Sequence, residues 1–202
     1  MDLKALFEIS YGLYLVTAQE NGKDNGCIIN TFSQQTDTPL KMSITINKQN
    51  YTAEMIDRTG IFTISILSEK AHPEIFRKFG MQSGRDCNKF EEITTERTPN
   101  GLLRLAEGLN TYADCRVINK IDLETHWLFI AEMTSSQVLN DDKSITYDYY
   151  QNNIKPQFKT SSAAKGWRCR ICSYTYEGEE LPPDFICPWC KHGAADFEKI
   201  TD

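Results

Sequence analysis

The sequence predicts a mainly β protein, in which a strand-dominated barrel with a few short helices is followed by a small metal-binding domain. Segments rich in β-branched and aromatic residues recur between residues 11 and 133, and only short stretches between them have helical spacing. The pattern stops near Pro156, and two Cys-x-x-Cys pairs follow it. These observations predict two domains of unequal size.

The first predicted elements are a short helix and a hairpin. Residues 3–8 have the apolar spacing of an amphipathic helix. Residues 11–18 and 27–32 have the composition of strands. Two steps between these strands are typical of hairpin turns, Asn21-Gly22 and Asn25-Gly26.

Three more strands and two helices follow. Residues 41–47 alternate between polar and apolar side chains without a fault, which predicts a strand with one buried face. Residues 61–67 and 126–133 have the composition of more deeply buried strands. Residues 52–58 and 73–79 have the spacing of short helices.

The domain boundary is predicted from the stretch 159–165, which offers no apolar face to bury. We therefore predict a first domain over residues 1–155, a linker over 156–165 and a second domain over 166–202.

Composition narrows the classes of function. The chain has 202 residues, a net charge of −6 and a pI of about 5.2, which disfavours binding to nucleic acid because that needs clustered Lys and Arg. The N-terminal segment lacks the apolar core of a signal peptide, and no apolar run approaches the length of a membrane span. We expect a cytoplasmic protein without membrane contact.

Seven cysteines suit a reducing compartment better than a disulfide framework, because the number is odd and four lie in tight pairs. Cys27 and Cys115 lie in apolar segments and are interpreted as small core residues, and Cys87 is also interpreted as structural.

The two tight pairs predict a metal site. Each pair can wrap one side of a metal, and four thiolates form a closed tetrahedral shell suited to zinc or iron. The predicted ligands are Cys169, Cys172, Cys187 and Cys190. Spacing alone leaves a structural zinc ribbon as an open alternative.

The residues around the cysteines resemble a known family. Aromatic residues are dense in this short segment: Trp167, Tyr174, Tyr176, Phe185, Trp189 and Phe197. The run Pro-Pro-Asp-Phe-Ile-Cys-Pro-Trp-Cys at 182–190 resembles the rubredoxin signature, although Ser173 and Lys191 replace its usual glycines. The resemblance implies one iron ion, with zinc as a possible substitute.

Two polar segments of the first domain have the composition of anion-binding loops. Residues 47–52 follow the alternating strand and open a predicted helix, whose free N–H groups would favour phosphate. Residues 80–86 contain two glycines and Arg85, which suits phosphate. Either segment alone is also compatible with an ordinary polar loop.

Together with the predicted strand 28–36 and the following Pro39, these pieces resemble the flavin reductase family of FMN-binding split β-barrels. The resemblance implies that one group faces the flavin ring and ribityl chain: Asn30, Thr31, Gln34 and Thr36. A second group would hold the phosphate: Asn47, Lys48, Asn50, Thr52 and Arg85. Ser83 is a further cofactor-binding candidate, and His126 falls on a strand similar to the family's histidine-bearing strand near the flavin, which makes it the catalytic candidate.

The whole chain resembles the high-molecular-weight rubredoxins. That resemblance implies an oxidoreductase that passes electrons from NADH or NADPH through FMN to the iron centre, and on to a protein acceptor such as a flavodiiron protein that reduces O2 or NO. It also implies a homodimer. Two alternatives stay open: an FMN-binding shuttle that does not itself oxidise NAD(P)H, and a flavin reductase with a structural zinc tail.

Overall fold

The fold is taken from a computed structural model, which describes residues 8–155, 166–170, 174–187 and 193–200. The helix predicted over residues 3–8 therefore lies outside the described residues except for Glu8. Within the described ranges, no helix is long and apolar enough to cross a membrane.

The first domain is built mainly of strands, as predicted. In chain order its elements are β1 (Tyr14–Glu20), β2 (Lys23–Ile29), β3 (Ser33–Asp37), β4 (Leu40–Asn47), α1 (Tyr51–Thr59), β5 (Ile61–Leu67), α2 (Pro73–Met81), β6 (Thr95–Arg97), β7 (Leu103–Leu105), β8 (Leu109–Leu123), β9 (His126–Val138) and α3 (Tyr147–Tyr149), which a π-helical turn at Tyr150–Ile154 continues.

Seven of these strands form one antiparallel sheet in the order β2-β1-β5-β8-β9-β4-β3. The two strands at opposite ends of this order, β2 and β3, are joined by residues 30–32 alone. That link spans at most about 14 Å, so the sheet must curl until its two edges lie near each other. No pairing between β2 and β3 occurs among the described residues, and the barrel is therefore split at this seam.

The first hairpin shows one turn prediction confirmed and one wrong. Asn21 and Gly22 both have positive φ and join β1 to β2. Asn25 and Gly26 instead lie inside β2, where Gly26 pairs with Thr17. A side chain at Gly26 would come within 2.9 Å of the Val16 carbonyl oxygen, so glycine is needed there for close strand approach rather than for a turn.

The two predicted helices are confirmed, each with slightly wider bounds. Asn50 caps α1 by accepting a hydrogen bond from the Thr52 N–H, and Gly60 ends the helix with a left-handed backbone. Helix α1 packs on β1 over a core that includes Ile56 and Phe62. Helix α2 packs on β2 over a second core that includes Phe76.

The predicted strands at 41–47 and 61–67 are confirmed, while the strand predicted over 28–36 is broken at residues 30–32. The 15-residue strand β8 was not predicted. Its first half is buried and its second half exposed, so no single period marks it. The strand predicted at 126–133 continues to Val138. The prediction ended too early because residues 134–137 are polar and mostly exposed and so give no sign of a buried face.

The described part of the second domain contains three short strands in one sheet, with the first strand in chain order lying between the other two. Their bounds are β10 (Gly166–Cys169), β11 (Thr175–Tyr176) and β12 (Phe197–Ile200), with a 3-10 turn at Ala194–Asp196 before the last strand. Ile186 and Gly193 form an isolated antiparallel bridge.

Candidate functional site

The two polar loops singled out in the sequence meet at one pocket. The segment between β4 and α1 forms one wall, and the end of α2 with the loop after it forms the other. The pocket measures about 180 Å³. Its lining residues are Asn47, Gln49, Asn50, Tyr51, Phe79, Gly80, Met81, Gln82, Ser83, Gly84 and Lys89. Three predicted cofactor-binding residues therefore come together here: Asn47, Asn50 and Ser83.

The start of α1 differs from the prediction of free N–H groups. The Thr52 N–H donates to the Asn50 side chain at 3.0 Å, and the Ala53 N–H donates to the Asn50 carbonyl at 3.0 Å. Thr52 is fully buried, and its hydroxyl oxygen accepts a hydrogen bond from the Asn25 amide at 3.1 Å. Thr52 therefore does not line the pocket in this structure, and its contact with phosphate stays a prediction.

Lys48 and Arg85, two predicted phosphate ligands, do not line this pocket. The Lys48 ammonium lies 4.2 Å from the centre of the Trp127 ring and forms an ion pair with Asp122. Arg85 forms an ion pair with Glu54 and lies on the ring of Tyr51. Each cation thus contacts both a carboxylate and an aromatic face, and these contacts hold it in a position in which it does not line the pocket.

Lys89 is a pocket residue that the sequence reasoning missed. It is 4% exposed and donates a hydrogen bond to the Gly26 carbonyl at 2.9 Å. Phe90, which follows it, is buried against the ring of Phe79 in α2. The sequence offers one weak signal, which is the aromatic residue Phe90 directly after Lys89. A lysine in a polar stretch gives no reason to predict burial.

The residues predicted to face the flavin ring lie beside β4 and do not line the pocket. Asn30 and Thr31 lie in the link before β3, and Gln34 and Thr36 lie on β3 itself. The Thr31 hydroxyl donates to the Thr45 carbonyl at 2.7 Å, which fixes the link to β4 two residues before that strand reaches the pocket. β3 is exposed along its whole length.

His126 begins β9 and pairs with Asn47 at the end of β4. Its ring nitrogen Nδ1 lies 2.8 Å from the hydroxyl of Thr125. The fold thus places the predicted catalytic residue directly across from a pocket residue, although His126 itself does not line the pocket.

The second domain buries two of the four predicted metal ligands in one cluster. Cys169 and Cys187 are fully buried and form a cluster with Phe197, which is 7% exposed. Cys172 and Cys190 lie outside the described residues. Aromatic rings cover the cluster, including Phe185, which packs edge-on against Phe197 at 5.4 Å. A buried, sulfur-bearing core of this kind suits a metal ion that binds thiolates, such as iron or zinc, and does not fit magnesium or calcium.

Comparison with known proteins identifies both domains. The family model described as "Flavin reductase like domain" matches residues 6–156, and the model described as "Rubrerythrin, rubredoxin-like domain" matches residues 167–198. The chain is thus an oxidoreductase of the flavin reductase type with a rubredoxin-like domain attached. The first domain binds a flavin, and the second carries an iron centre.

Individual relatives narrow the family. The High molecular weight rubredoxin of Moorella thermoacetica is 33% identical, covering 99% of this chain and 100% of the relative. The Ferric-chelate reductase (NAD(P)H) of Archaeoglobus fulgidus is 32% identical, covering 74% of this chain and 89% of the relative. The solved structure of flavin reductase PheA2 superposes with a TM-score of 0.62 at 21% identity, covering 72% of this chain and 93% of that one, which supports the fold. The chain belongs to the high-molecular-weight rubredoxin family.

Proposed function

We propose that this protein takes electrons from NADH or NADPH, passes them through FMN to a rubredoxin-type iron centre, and delivers them to a protein acceptor such as a flavodiiron protein that reduces O2 or NO. The observation that carries the proposal is that two separate polar loops meet at one pocket. The same chain buries two of its four paired cysteines in a second domain.

The pocket is proposed to hold the FMN phosphate through Asn47, Asn50 and Ser83, which line it. The segment beside β4 is proposed to face the flavin ring and ribityl chain, with the side chains of Asn30, Thr31, Gln34 and Thr36. His126, paired with Asn47, is the candidate for a catalytic role at the flavin. When bound, FMN accepts a hydride from a nicotinamide and releases electrons singly, which suits a one-electron iron acceptor.

The iron is proposed to be held by Cys169, Cys172, Cys187 and Cys190. Four thiolates leave no open coordination position, so such a centre exchanges electrons and does not bind substrate. The proposed boundaries are 1–155 for the flavin domain, 156–165 for the linker and 166–202 for the iron domain.

Partners are proposed from the relatives. A relative named for NAD(P)H-dependent ferric-chelate reduction supports a nicotinamide as electron donor. The flavodiiron acceptor, the homodimer and the cytoplasmic location rest on resemblance to the family and on composition.

An anaerobic visible spectrum of the purified full-length protein, recorded before and after NADH or NADPH is added, tests the proposal. We expect a flavin band and iron-thiolate charge transfer, both of which bleach. A protein that contains both centres but stays oxidised with either nicotinamide would be a shuttle fed by another protein. Flavin without an iron signal, with zinc found by elemental analysis, would reduce the protein to a flavin reductase with a structural tail.

A further inference from the structure

The pocket contains a cation that no resemblance or family match assigns to flavin binding. Lys89 lines the pocket and is 96% buried, and its ammonium donates to the Gly26 carbonyl in β2. Two elements fix its position, because Gly26 lies in β2 and the adjoining Phe90 packs on α2. The Lys89 side chain therefore has a fixed position in a pocket that Asn50 and Ser83 also line.

Burial of an ammonium costs free energy, and an anion brought next to it offsets that cost. The same burial strengthens the attraction between the two charges, because the surroundings screen less than water does. A lysine placed at the wall of a polar pocket thus favours an anionic ligand such as a phosphate monoester. The pocket's neutral lining, which includes the Asn50 amide and the Ser83 hydroxyl, supplies hydrogen-bonding groups without opposing charge.

Two other cations nearby, both more exposed than Lys89, are poorer candidates for this role. Lys48 forms an ion pair with Asp122, and Arg85 forms one with Glu54. Neither of these two side chains lines the pocket, and water and salt screen the charges of both. We propose that Lys89, rather than Lys48 or Arg85, is the residue that recognises the phosphate group of the flavin. This inference rests on the proposed function, in which the pocket holds that phosphate.

The test compares two flavins that differ only in the phosphate. Full-length protein is freed of flavin and titrated with FMN and with riboflavin, and the ratio of the two dissociation constants is measured by flavin fluorescence. For Lys89→Met we expect FMN affinity to fall by about tenfold to a hundredfold, the range that loss of a hydrogen bond to a charged group predicts, with riboflavin affinity unchanged. The riboflavin titration also reports whether the variant still forms the site.

Lys23→Met is the matched control, because it removes an exposed lysine ammonium that lies near the ring of Tyr51 and outside the pocket lining. The ratio of the FMN and riboflavin dissociation constants of Lys23→Met should equal that of the unsubstituted protein. If Lys89→Met does not fold, Lys89→Gln replaces it, since glutamine keeps a donor for the Gly26 carbonyl and removes only the charge.

The possible outcomes separate two failures. If the unsubstituted protein binds FMN and riboflavin equally, the pocket is not a phosphate site and the proposed function of the pocket is wrong. If the unsubstituted protein prefers FMN and the Lys89 variants keep that preference, only the inference about Lys89 is wrong. A loss of preference in Arg85→Met, with none in the Lys89 variants, would return the role to Arg85.

Discussion

At the scale of single residues, the cysteines of the first domain occupy different environments. Cys27 and Cys115 are buried, as expected of small core residues, while Cys87 is exposed. Burial, together with the neighbouring Asp114 carboxylate, raises the pKa of the Cys115 thiol from 9.0 to about 12. Asp114 is itself fully buried and accepts a hydrogen bond from the Thr63 hydroxyl at 2.6 Å. The Cys115 thiol therefore stays protonated in the folded protein at a pH at which it ionises in the unfolded chain.

This difference predicts how stability depends on pH. The pKa of Cys115 is higher in the folded protein than in the unfolded chain. The contribution of this thiol to the free energy of unfolding is therefore fully present below about pH 9 and is lost as the pH rises toward 12. Relative to Cys115→Ala, the unsubstituted protein should lose up to about 1.4 kcal/mol of unfolding free energy per pH unit in this window. Urea unfolding of both proteins at several pH values between 8 and 10.5 measures the difference.

Cys87→Ala serves as the control for this experiment, because it removes an exposed thiol from a loop of the same domain. A difference between the unsubstituted protein and Cys115→Ala that stays constant with pH would contradict the prediction.

At the scale of elements, the second pocket loop is held against β2 by a close contact. A Cβ at Gly84 would lie 2.1 Å from the side-chain oxygen of Asn25, whose amide nitrogen also donates to Thr52. One buried asparagine thus contacts both loops that form the pocket. Glycine is needed here because a side chain has no room, and not because of an unusual backbone conformation, since Gly84 is not among the positive-φ glycines.

Gly84→Ala should therefore displace the loop or Asn25. We expect a loss of about 1–3 kcal/mol of unfolding free energy, typical of overpacking a tight site, and weaker FMN binding because the pocket wall moves. Thermal or urea unfolding of the full-length protein and FMN titration measure the two effects.

Gly80→Ala is the matched comparison on the same side of the pocket. A Cβ there would be 3.8 Å from its nearest neighbour, Ile28, and Gly80 lies within α2. Gly80→Ala should raise the free energy of unfolding by up to about 1 kcal/mol, because alanine stabilises a helix more than glycine does. Equal effects of the two substitutions would show that the contact with Asn25 is unimportant.

At the scale of the whole molecule, a two-electron flavin site and a one-electron metal site are combined in one chain. The second domain carries four Lys and Arg against seven Asp and Glu over residues 166–202, a net charge of about −3. Excess charge of one sign favours weak, salt-sensitive association with a basic partner. This is the behaviour expected of a domain that delivers electrons to another protein.

Cys187→Ser tests the division of labour between the domains. Removal of one of the four proposed iron ligands should abolish delivery to a protein acceptor, while NAD(P)H oxidation with a small artificial acceptor continues at the flavin. Steady-state rates with each acceptor, measured on the full-length variant, distinguish the two steps. Unchanged delivery to the protein acceptor would mean that the metal site does not relay electrons.

Local patterns in the sequence determined several parts of this protein. The alternation at 41–47 predicted β4, because one buried face imposes a period of two wherever the strand lies in the fold. The two Cys-x-x-Cys pairs predicted the metal site from spacing, since a tight turn between two ligands is a local property. The two polar loops were also visible, and the structure brings both to one pocket.

Only the tertiary structure decided which side chains line that pocket. Lys89 is buried because it reaches the Gly26 carbonyl, 63 residues away in the chain, whereas Arg85 turns outward to Glu54. Asn25 and Gly26 have the local preference of a turn, yet the pairing of β2 with β1 holds them in a strand. Short-range patterns fix the type and period of an element. Contacts between distant segments fix the orientation of each polar side chain, because burial and partners exist only once those segments have come together.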